Sequence, residues 1–280
     1  MRKRTIFVVL GIFLFSCATV PITGRKQLAL VPNSQILPLS YSSYEQVLKE
    51  SKLSTNQAEV NMVKKVGSNI EKAVEEYMAQ NNMIDALKGY EWEFNLIDDK
   101  DVINAWCMPG GKVAFYTGIM PICQDEAGVA VVMGHEVAHA IANHGGERMS
   151  QGLVQQLGGL ALSVALQDKP EQTQALFFTA YAVGTTYGVM LPYSRLHESE
   201  ADKLGLIFMA MAGYDPYEAP EFWERMKAQS QGDQPPEWMS THPSHQSRID
   251  ELNAYIPKAM KHYKKGQNNQ DIKIQKFEKK

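Results

Sequence analysis

Apolar residues recur every three or four positions between Val60 and Tyr77, which places them on one stripe of a helix. The Ser54-Thr55 pair before them is a typical helix start. Beyond Gly118 the pattern is again mainly helical. Gly213 and the following Asp215-Pro216 mark the end of one helix and the start of the next. These patterns predict a chain that is mostly helical.

A small sheet is predicted between the helical regions. After Gly89, residues 90–97 alternate between apolar and polar, as in a half-buried strand. Two shorter strands are predicted at residues 102–106 and 112–116, joined by a turn that contains Pro109-Gly110-Gly111. The predicted fold class is therefore α+β, mainly helical, with one small sheet.

The two ends of the chain look different from the middle. Residues 17–53 are predicted to be a tether or strap, because Pro21, Pro32 and Pro38 interrupt a stretch without a clear period. Residues 54–263 are predicted to form the folded domain. Residues 264–280 are polar and rich in lysine, which is typical of a mobile tail.

Residues 1–16 have the pattern of an export signal. A basic start is followed by an apolar run at residues 5–15, which as a helix would rise only about 16 Å, half of a bilayer core. Ser16-Cys17 then resembles the end of a bacterial lipobox, which predicts that Cys17 is lipidated. Ala18 favours the periplasmic face of the outer membrane, with the lipid as the only membrane anchor. The alternative is an ordinary secretory signal with an incidental cysteine.

Composition excludes several classes of protein. The chain is 44% hydrophobic and 21% charged, which are globular proportions. It has 28 basic and 31 acidic residues, and loss of the three basic residues at positions 2–4 changes the net charge from −3 to −6. Such a balance argues against nucleic-acid binding. Three cysteines are too few for a disulfide framework, although Cys107 and Cys123 could pair in an oxidising compartment or stay free.

The sharpest chemical signal is the sequence His135-Glu136-Val137-Ala138-His139, within a proline-free apolar segment. Two histidines four residues apart lie on one face of a helix, which suits two ligands of a tetrahedral zinc ion. Glu136 is offset by one residue, where a general base for the attacking water is needed. Two buried imidazoles beside a carboxylate would be costly without a metal or charged partners.

A third ligand must come from elsewhere in the chain. His144 follows His139 by five residues, which does not fit metzincin spacing, and we predict that it is a helix-end residue. Glu198 and Asp202 share a helix face, so that Glu198 can ligate zinc while Asp202 accepts the outer N–H of a ligating histidine. On chemical grounds alone, two neighbours of Glu198 remain competing ligands, His197 and Glu200.

Taken together, the motifs resemble the gluzincin metallopeptidases that include HtpX-type heat-shock proteases, CAAX prenyl proteases and periplasmic lipoprotein relatives. The resemblance covers roughly residues 20–260. The matching pieces, in order, are Asn104-Ala105, Pro109-Gly110-Gly111, His135-Glu136-x-x-His139, Ser194-Arg195-x-x-Glu198-x-x-Ala201-Asp202, and His242-Pro243 with Arg248. The chain lacks the several membrane spans of the HtpX and CAAX members, so it is similar to the lipoprotein branch.

The resemblance assigns roles to individual residues. It implies a zincin-like fold with one zinc ion per chain, and its zinc ligands are His135, His139 and Glu198. Glu136 is then the catalytic base, and Asp202 orients a ligand.

The resemblance also implies a substrate strand and a residue near the cleft. Residues 104–106 and 111–114, with Asn104, Ala105 and Gly111 foremost, are the expected substrate contacts. The resemblance further brings His242 close to the cleft. There His242 is either a fourth zinc ligand that displaces water or an oxyanion donor helped by Arg248. The alternative from the residues alone is a helix-start histidine packed under a loop.

The expected function is a zinc metalloendopeptidase of the bacterial envelope that hydrolyses unfolded or misassembled exported proteins, as in quality control. Its expected partners are polypeptide substrates, and the sequence identifies no other protein partner. The alternatives are a chaperone-like or binding lipoprotein with a latent zinc site and a zinc hydrolase with non-peptide substrates. Glu136 argues against a purely structural zinc site, since such a site needs no carboxylate between its ligands.

Overall fold

The structure is a computed structural model that describes residues 17–20, 23–186, 190–229, 238–239, 242 and 246–264. The predicted leader of residues 1–16, Pro243 and residues 265–280 of the predicted tail lie outside the described residues, as does the side chain of Cys17.

Helices dominate the described residues. The strands are β1 (Cys17–Thr19), β2 (Lys26–Leu28), β3 (Glu93–Ile97), β4 (Ala105–Met108) and β5 (Lys112–Tyr116). The α-helices are α1 (Asn33–Glu50), α2 (Gln57–Gln80), α3 (Met120–Cys123), α4 (Glu126–Ile141), α5 (His144–Leu166), α6 (Glu171–Thr185), α7 (Leu191–Met211), α8 (Glu218–Gln229) and α9 (Gln246–Ala259). Short 3-10 turns occur at Ile84–Leu87, Thr117–Ile119 and Met260–His262.

The three central strands form a mixed sheet with the order β3-β5-β4. β3 and β5 are parallel, while β4 and β5 form an antiparallel hairpin with Ala105 opposite Phe115. The prediction for residues 112–116 is confirmed. The preceding strand, predicted at residues 102–106, begins three residues later and ends two residues later, at Ala105–Met108. Before it, the Asn104 carbonyl accepts a single hydrogen bond from the Tyr116 N–H.

Helix α4 is the centre of the core, and its residues from Gly128 to Ile141 are buried. Asp125 caps its start by accepting bonds from the backbone N–H groups of Ala127 and Gly128. The helix packs against α2, β4 and α7. At its crossing with α7, a methyl group on Gly134 would lie 2.9 Å from the carbonyl oxygen of Gly205. This close approach brings the His135 side of α4 against α7.

Helix α1 is the main departure from the sequence prediction. Residues from Asn33 onward were expected to belong to an irregular strap, but Asn33–Glu50 is helical with Pro38 in its second turn. Its buried stripe is short and includes a serine, at Ile36, Ser40 and Tyr44. Tyr44 donates a hydrogen bond of 2.8 Å to the carbonyl of Val113, so the helix covers the sheet.

Helices α5 and α6 form a hairpin beyond the end of α4. The left-handed backbone of Asn143, with φ of 54°, ends α4 and turns the chain into α5. β2 packs against the first part of α5, where Ser150 accepts a bond from the Leu30 N–H. Among the described helices, none combines the length and apolar character needed to cross a bilayer.

Candidate metal centre

Helix α4 carries His135, Glu136 and His139 in its last two turns, and all three side chains are buried. The Nε2 atoms of the two histidines lie 3.1 Å apart, since residues four apart share a helix face. Each Nδ1 atom instead points outward to a different partner. The two imidazoles therefore offer their Nε2 atoms to one point.

Helix α7 supplies a carboxylate to the same point. The two oxygens of Glu198 lie 3.4 Å from the Nε2 atoms of His135 and His139, one each. Hydrogen bonding to these rings overcomes the effect of burial and holds the pKa of Glu198 well below its usual range. Glu198 is therefore an anionic group between two imidazoles and a possible metal ligand.

His242 completes a group of four possible ligands. Its Nδ1 atom lies 2.9 Å from a Glu198 oxygen and 3.1 Å from His135 Nε2. One donor atom from each of His135, His139, Glu198 and His242 can be chosen so that all four lie within 4.8 Å of one another. In a tetrahedral zinc site the donor atoms lie about 3.3 Å apart, since each bond is about 2.0–2.1 Å long. Nitrogen and carboxylate donors at this spacing fit zinc.

Asp202 and Arg248 hold His135 from outside. The His135 Nδ1 atom lies 3.0 Å from Asp202, which accepts two further bonds of 2.5 and 2.7 Å from the Arg248 guanidinium. Burial alone would lower the pKa of His135, but hydrogen bonds to Asp202 and Glu198 outweigh it and raise that pKa to about 9. Arg248 also lies 3.8 Å above the Trp223 ring and 3.1 Å from Glu198. Arg248 thus contacts the carboxylates of Asp202 and Glu198, which in turn contact His135.

A second chain of contacts holds His139, through a residue that sequence analysis did not assign to the site. His144 was expected to end a helix, but it begins α5 and is fully buried. The left-handed turn at Asn143 directs its ring back, so that its Nδ1 lies 2.8 Å from His139 Nδ1. Burial lowers the pKa of His144 to about 4, so its ring is neutral at pH 7.

The hydrogen-bond partners of His144 fix the tautomer of His139. The Nε2 atom of His144 lies 3.2 Å from Glu200, and because a carboxylate only accepts, this nitrogen carries the proton. His144 Nδ1 then accepts the Nδ1–H of His139, which leaves the Nε2 lone pair of His139 facing the cluster.

Arg25, in the segment between β1 and β2, joins this second chain. Its guanidinium donates to Glu200 at 2.9 Å and to both oxygens of Glu147, at 2.7 and 3.0 Å. Glu147 also lies 2.8 Å from His197 Nε2. The two competing ligands considered from sequence, His197 and Glu200, are thus engaged outside the cluster of four. Arg25 had no sequence signal, because it is an isolated cation in an irregular segment.

Glu136 stands beside the cluster and is not one of its four members. It is buried and accepts a hydrogen bond of 2.7 Å from the indole N–H of Trp238, while His242 Nε2 lies 3.4 Å away. Trp238 stacks on Trp223, with ring centroids 4.8 Å apart. No periodic pattern around Trp238 pointed to this contact. The carboxylate is held next to the metal position with one oxygen fixed.

The expected substrate strand lies at an edge of the sheet. β4, with Ala105 at its start, has β5 on one side and packs near α4, and Asn104 precedes it. Gly111 is in the turn to β5, at φ of 82°, where a side chain would collide with Trp92. Cys107 in β4 and Cys123 in α3 are free thiols.

A mainly helical domain with a small sheet and a buried H-E-x-x-H helix, completed by a glutamate from a second helix, defines the zincin-like metallopeptidase class. The comparison with protein families agrees. Residues 64–256 match Peptidase family M48, which is more than half of the chain, and the chain belongs to this family. M48 metallopeptidases use zinc, in agreement with the donor set described above.

Several curated proteins are similar to this chain in sequence. The chain is 32% identical over 249 residues to the human mitochondrial metalloendopeptidase OMA1, covering 86% of this chain and 46% of the relative. It is 32% identical over 203 residues to the OMA1 of Saccharomyces cerevisiae, covering 69% and 54%. It is 31% identical over 166 residues to the beta-barrel assembly-enhancing protease of Escherichia coli, covering 56% and 33%. The chain spans about half the length of the OMA1 relatives.

Proposed function

We propose that the protein is a zinc-dependent metalloendopeptidase in which His135, His139 and Glu198 hold the metal and Glu136 is the catalytic base. The observation that carries the proposal is the place of Glu136. Glu136 lies against the donor cluster without belonging to it. Its carboxylate is buried at a cost in free energy, which indicates that it has a function there. A structural zinc site would have no use for it.

The residues divide the chemistry among them. A bound zinc ion supplies Lewis-acid polarisation and lowers the pKa of water toward about 7. Glu136 accepts the proton of the water that attacks a peptide carbonyl and delivers it to the leaving amine. The N–H of Trp238 occupies one oxygen of Glu136, which leaves the other available for that proton. Asp202 and His144 keep both histidines in the tautomer that presents Nε2.

The edge strand β4 suits an extended peptide as substrate. Within the described residues, its ladder partner is β5 alone, so its outer edge can pair with a peptide backbone. Such pairing depends little on side chains, which supports unfolded or misassembled polypeptides as substrates. In this proposal Asn104 and Ala105 contact the peptide, and Gly111 keeps the hairpin turn that ends the strand.

A second candidate function is supported by the position of His242. Its Nδ1 atom lies in the donor cluster, where it would compete with water for the fourth metal position. In that state the protein would be a binding or chaperone-like module with a latent zinc site. We favour an enzyme that is switched off in this conformation, because Glu136 would have no function in a permanently latent site.

We also propose that the protein belongs to the lipoprotein branch of its family and acts at the periplasmic face of the bacterial outer membrane. The support is the basic and apolar start that ends at Ser16-Cys17, with Ala18 next. A similarity to the beta-barrel assembly-enhancing protease of Escherichia coli is consistent with a role in envelope quality control. The Cys17 lipid would be the anchor.

Casein cleavage by the parent chain and by Glu136→Gln tests the catalytic proposal. The amide keeps an oxygen for Trp238 but cannot take a proton, so the variant should bind zinc like the parent and lose cleavage. Glu126→Gln is the matched control, since Glu126 is the first residue of the same helix and far from the cluster. Cleavage by Glu136→Gln at the parent rate would refute the proposal. Zinc binding without any cleavage in both the parent and a His242→Ala variant would support the latent module.

A further inference from the structure

The α5–α6 hairpin exposes an unusual amount of apolar surface. Large apolar side chains are exposed along both of its arms, and none of them belongs to the buried core of the described residues. They include Leu153, Leu157, Leu160, Val164, Leu176 and Phe177. Isolated exposed apolar residues are ordinary, but a contiguous apolar surface on a protruding element marks an interaction site.

The hairpin also lacks charge along both of its arms. Residues 149–167 contain no charged side chain, and neither do residues 172–194. The charges between them are confined to the connection, at Asp168, Lys169 and Glu171. A surface helix usually carries charged residues on its solvent face, and residues 149–167 and 172–185 of these two helices carry none. The arms therefore offer nothing for charge complementarity with a soluble protein partner.

Several polar side chains of the two arms form hydrogen bonds within the hairpin. Tyr181 donates to the carbonyl of Gln155 at 2.8 Å, and the Gln155 amide donates to Thr185 at 2.9 Å. Thr185 and Thr179 bond carbonyls of their own helix. Polar groups that find partners within their own helix pair do not need water, as in helices adapted to lipid.

The proposed lipid attachment site lies close to the base of the hairpin. β1 begins at Cys17 and pairs with β2, which packs against the first part of α5. Arg25 and Leu30 fix this segment to Glu147 and Ser150 of α5. A lipid on Cys17 would therefore attach beside the hairpin.

We propose that the α5–α6 hairpin is a membrane-binding surface whose exposed apolar side chains lie in the interfacial region of a lipid bilayer. The charged connection stays among the headgroups. A lipid surface is the occupant that these observations favour over a second copy of the chain, because β1 begins at Cys17, the proposed lipid attachment site, beside the base of the hairpin. The surface is independent of catalysis.

One consequence does rest on the proposed function. α5 begins directly after the helix of the metal centre, and His144 at its first position contacts His139. A hairpin seated in lipid would hold the catalytic cleft at a fixed height above the membrane, so that polypeptides near the membrane surface become the preferred substrates.

The test uses the full chain reconstituted in vesicles of phosphatidylethanolamine and phosphatidylglycerol. Leu160→Cys carries a polarity-sensitive fluorophore, and Leu39→Cys is the matched control, since Leu160 and Leu39 are 63% and 61% exposed on different helices. The parent chain, carried through the same labelling, gives the background. We expect a shift to shorter wavelength and quenching by nitroxides on the lipid chains at position 160 only.

Partitioning of the protein between water and the same vesicles is a second, independent test. The double variant Leu157→Glu with Leu160→Glu should bind these vesicles at least about tenfold more weakly than Leu39→Glu, since each substitution removes apolar contact with lipid. Both variants keep the same start of the chain, so the ratio isolates the hairpin. Equal partitioning would overturn the proposal. The proposal would also be overturned if fluorescence at position 160 is not quenched and two copies of the Leu160→Cys variant form disulfide cross-links. That result would assign the apolar surface of the hairpin to self-association. Loss of casein cleavage affects neither measurement.

Discussion

Replacing Arg25 by alanine tests how the start of the chain supports the metal centre. The guanidinium contacts two carboxylates whose side chains are 1% and 7% exposed, Glu147 and Glu200, while the Arg25 side chain is itself 17% exposed. The substitution would leave both carboxylates without their main cation. Their remaining partners are His197, His144 and the Thr23 hydroxyl, and the neutral His144 and Thr23 compensate little of the lost charge.

The magnitude follows from the burial of the pair. Removing one partner of a buried ion pair costs about 3–5 kcal/mol. Because water reaches part of Arg25, we expect the lower end, about 3 kcal/mol, despite the involvement of two carboxylates. For a chain of this size the unfolding temperature should fall by about 6–12 °C.

The effect should depend on pH in a defined direction. Burial would raise the pKa values of Glu147 and Glu200, but hydrogen bonds to His197, His144 and Arg25 outweigh it and lower both to about 2, from 4.5. Depressed carboxylate pKa values stabilise the fold above about pH 4.5, and this contribution is lost as the pH falls toward 2. The difference in unfolding free energy between the parent and the Arg25→Ala variant should therefore be largest at pH 7 and smaller at pH 3.

Thermal unfolding by circular dichroism at pH 7 and pH 3, with a chelator in every sample, measures both effects. Arg148→Ala is the matched control, because Arg148 is an exposed neighbour of Glu147 and its loss should change stability by no more than about 0.5 kcal/mol. If the Arg25→Ala and Arg148→Ala variants unfold at the same temperature at pH 7, the reasoning is refuted. It is also refuted if the difference in unfolding temperature between the parent and Arg25→Ala is larger at pH 3 than at pH 7.

Four further outcomes are expected. Glu198→Ala should lose both zinc and casein cleavage, and stoichiometric zinc measured in the purified variant would contradict its assignment as a ligand. Glu200→Ala should weaken zinc binding by about 10- to 100-fold in a competition titration, since it removes the acceptor that fixes the His144 tautomer and with it the support of His139; unchanged affinity would contradict that support. Cys17→Ser should abolish labelling by a fatty-acid analogue in cells, and label that persists would show that the lipobox prediction is wrong. His242→Ala should raise basal cleavage if the ring plugs the metal, which its position favours, or lower kcat by about 10- to 1,000-fold if it stabilises the oxyanion; unchanged kcat and zinc affinity would leave a packing role only.

The metal cluster was largely predictable because its signals are periodic and chemical. His135 and His139 share a helix face by spacing alone, and Glu136 is offset by one residue. Glu198 and Asp202 repeat the same spacing on a second helix. Spacing could not show that α4 and α7 cross, since this depends on two glycines, Gly134 and Gly205, that are far apart in sequence.

The supports of the site were less predictable. Asn143 adopts a left-handed conformation that ends α4, and this local backbone choice decides where the His144 ring points. Arg25 precedes a strand of only three residues, so no period marks it. Helix α1 escaped prediction because Pro38 removes a hydrogen bond in its second turn and its buried stripe contains Ser40. Its stability comes from packing on the sheet instead.

The two outer supports of the histidines come from opposite ends of the chain. His139 is backed through His144 and Glu200 by Arg25, while His135 is backed through Asp202 by Arg248. A growing chain contains the two histidines long before Arg248 has emerged, and the fully supported site needs α9 to dock. We expect full metal affinity to develop late in folding, as the last long-range contacts form. A hydrolytic site assembled in this order would remain inert throughout synthesis of its own polypeptide.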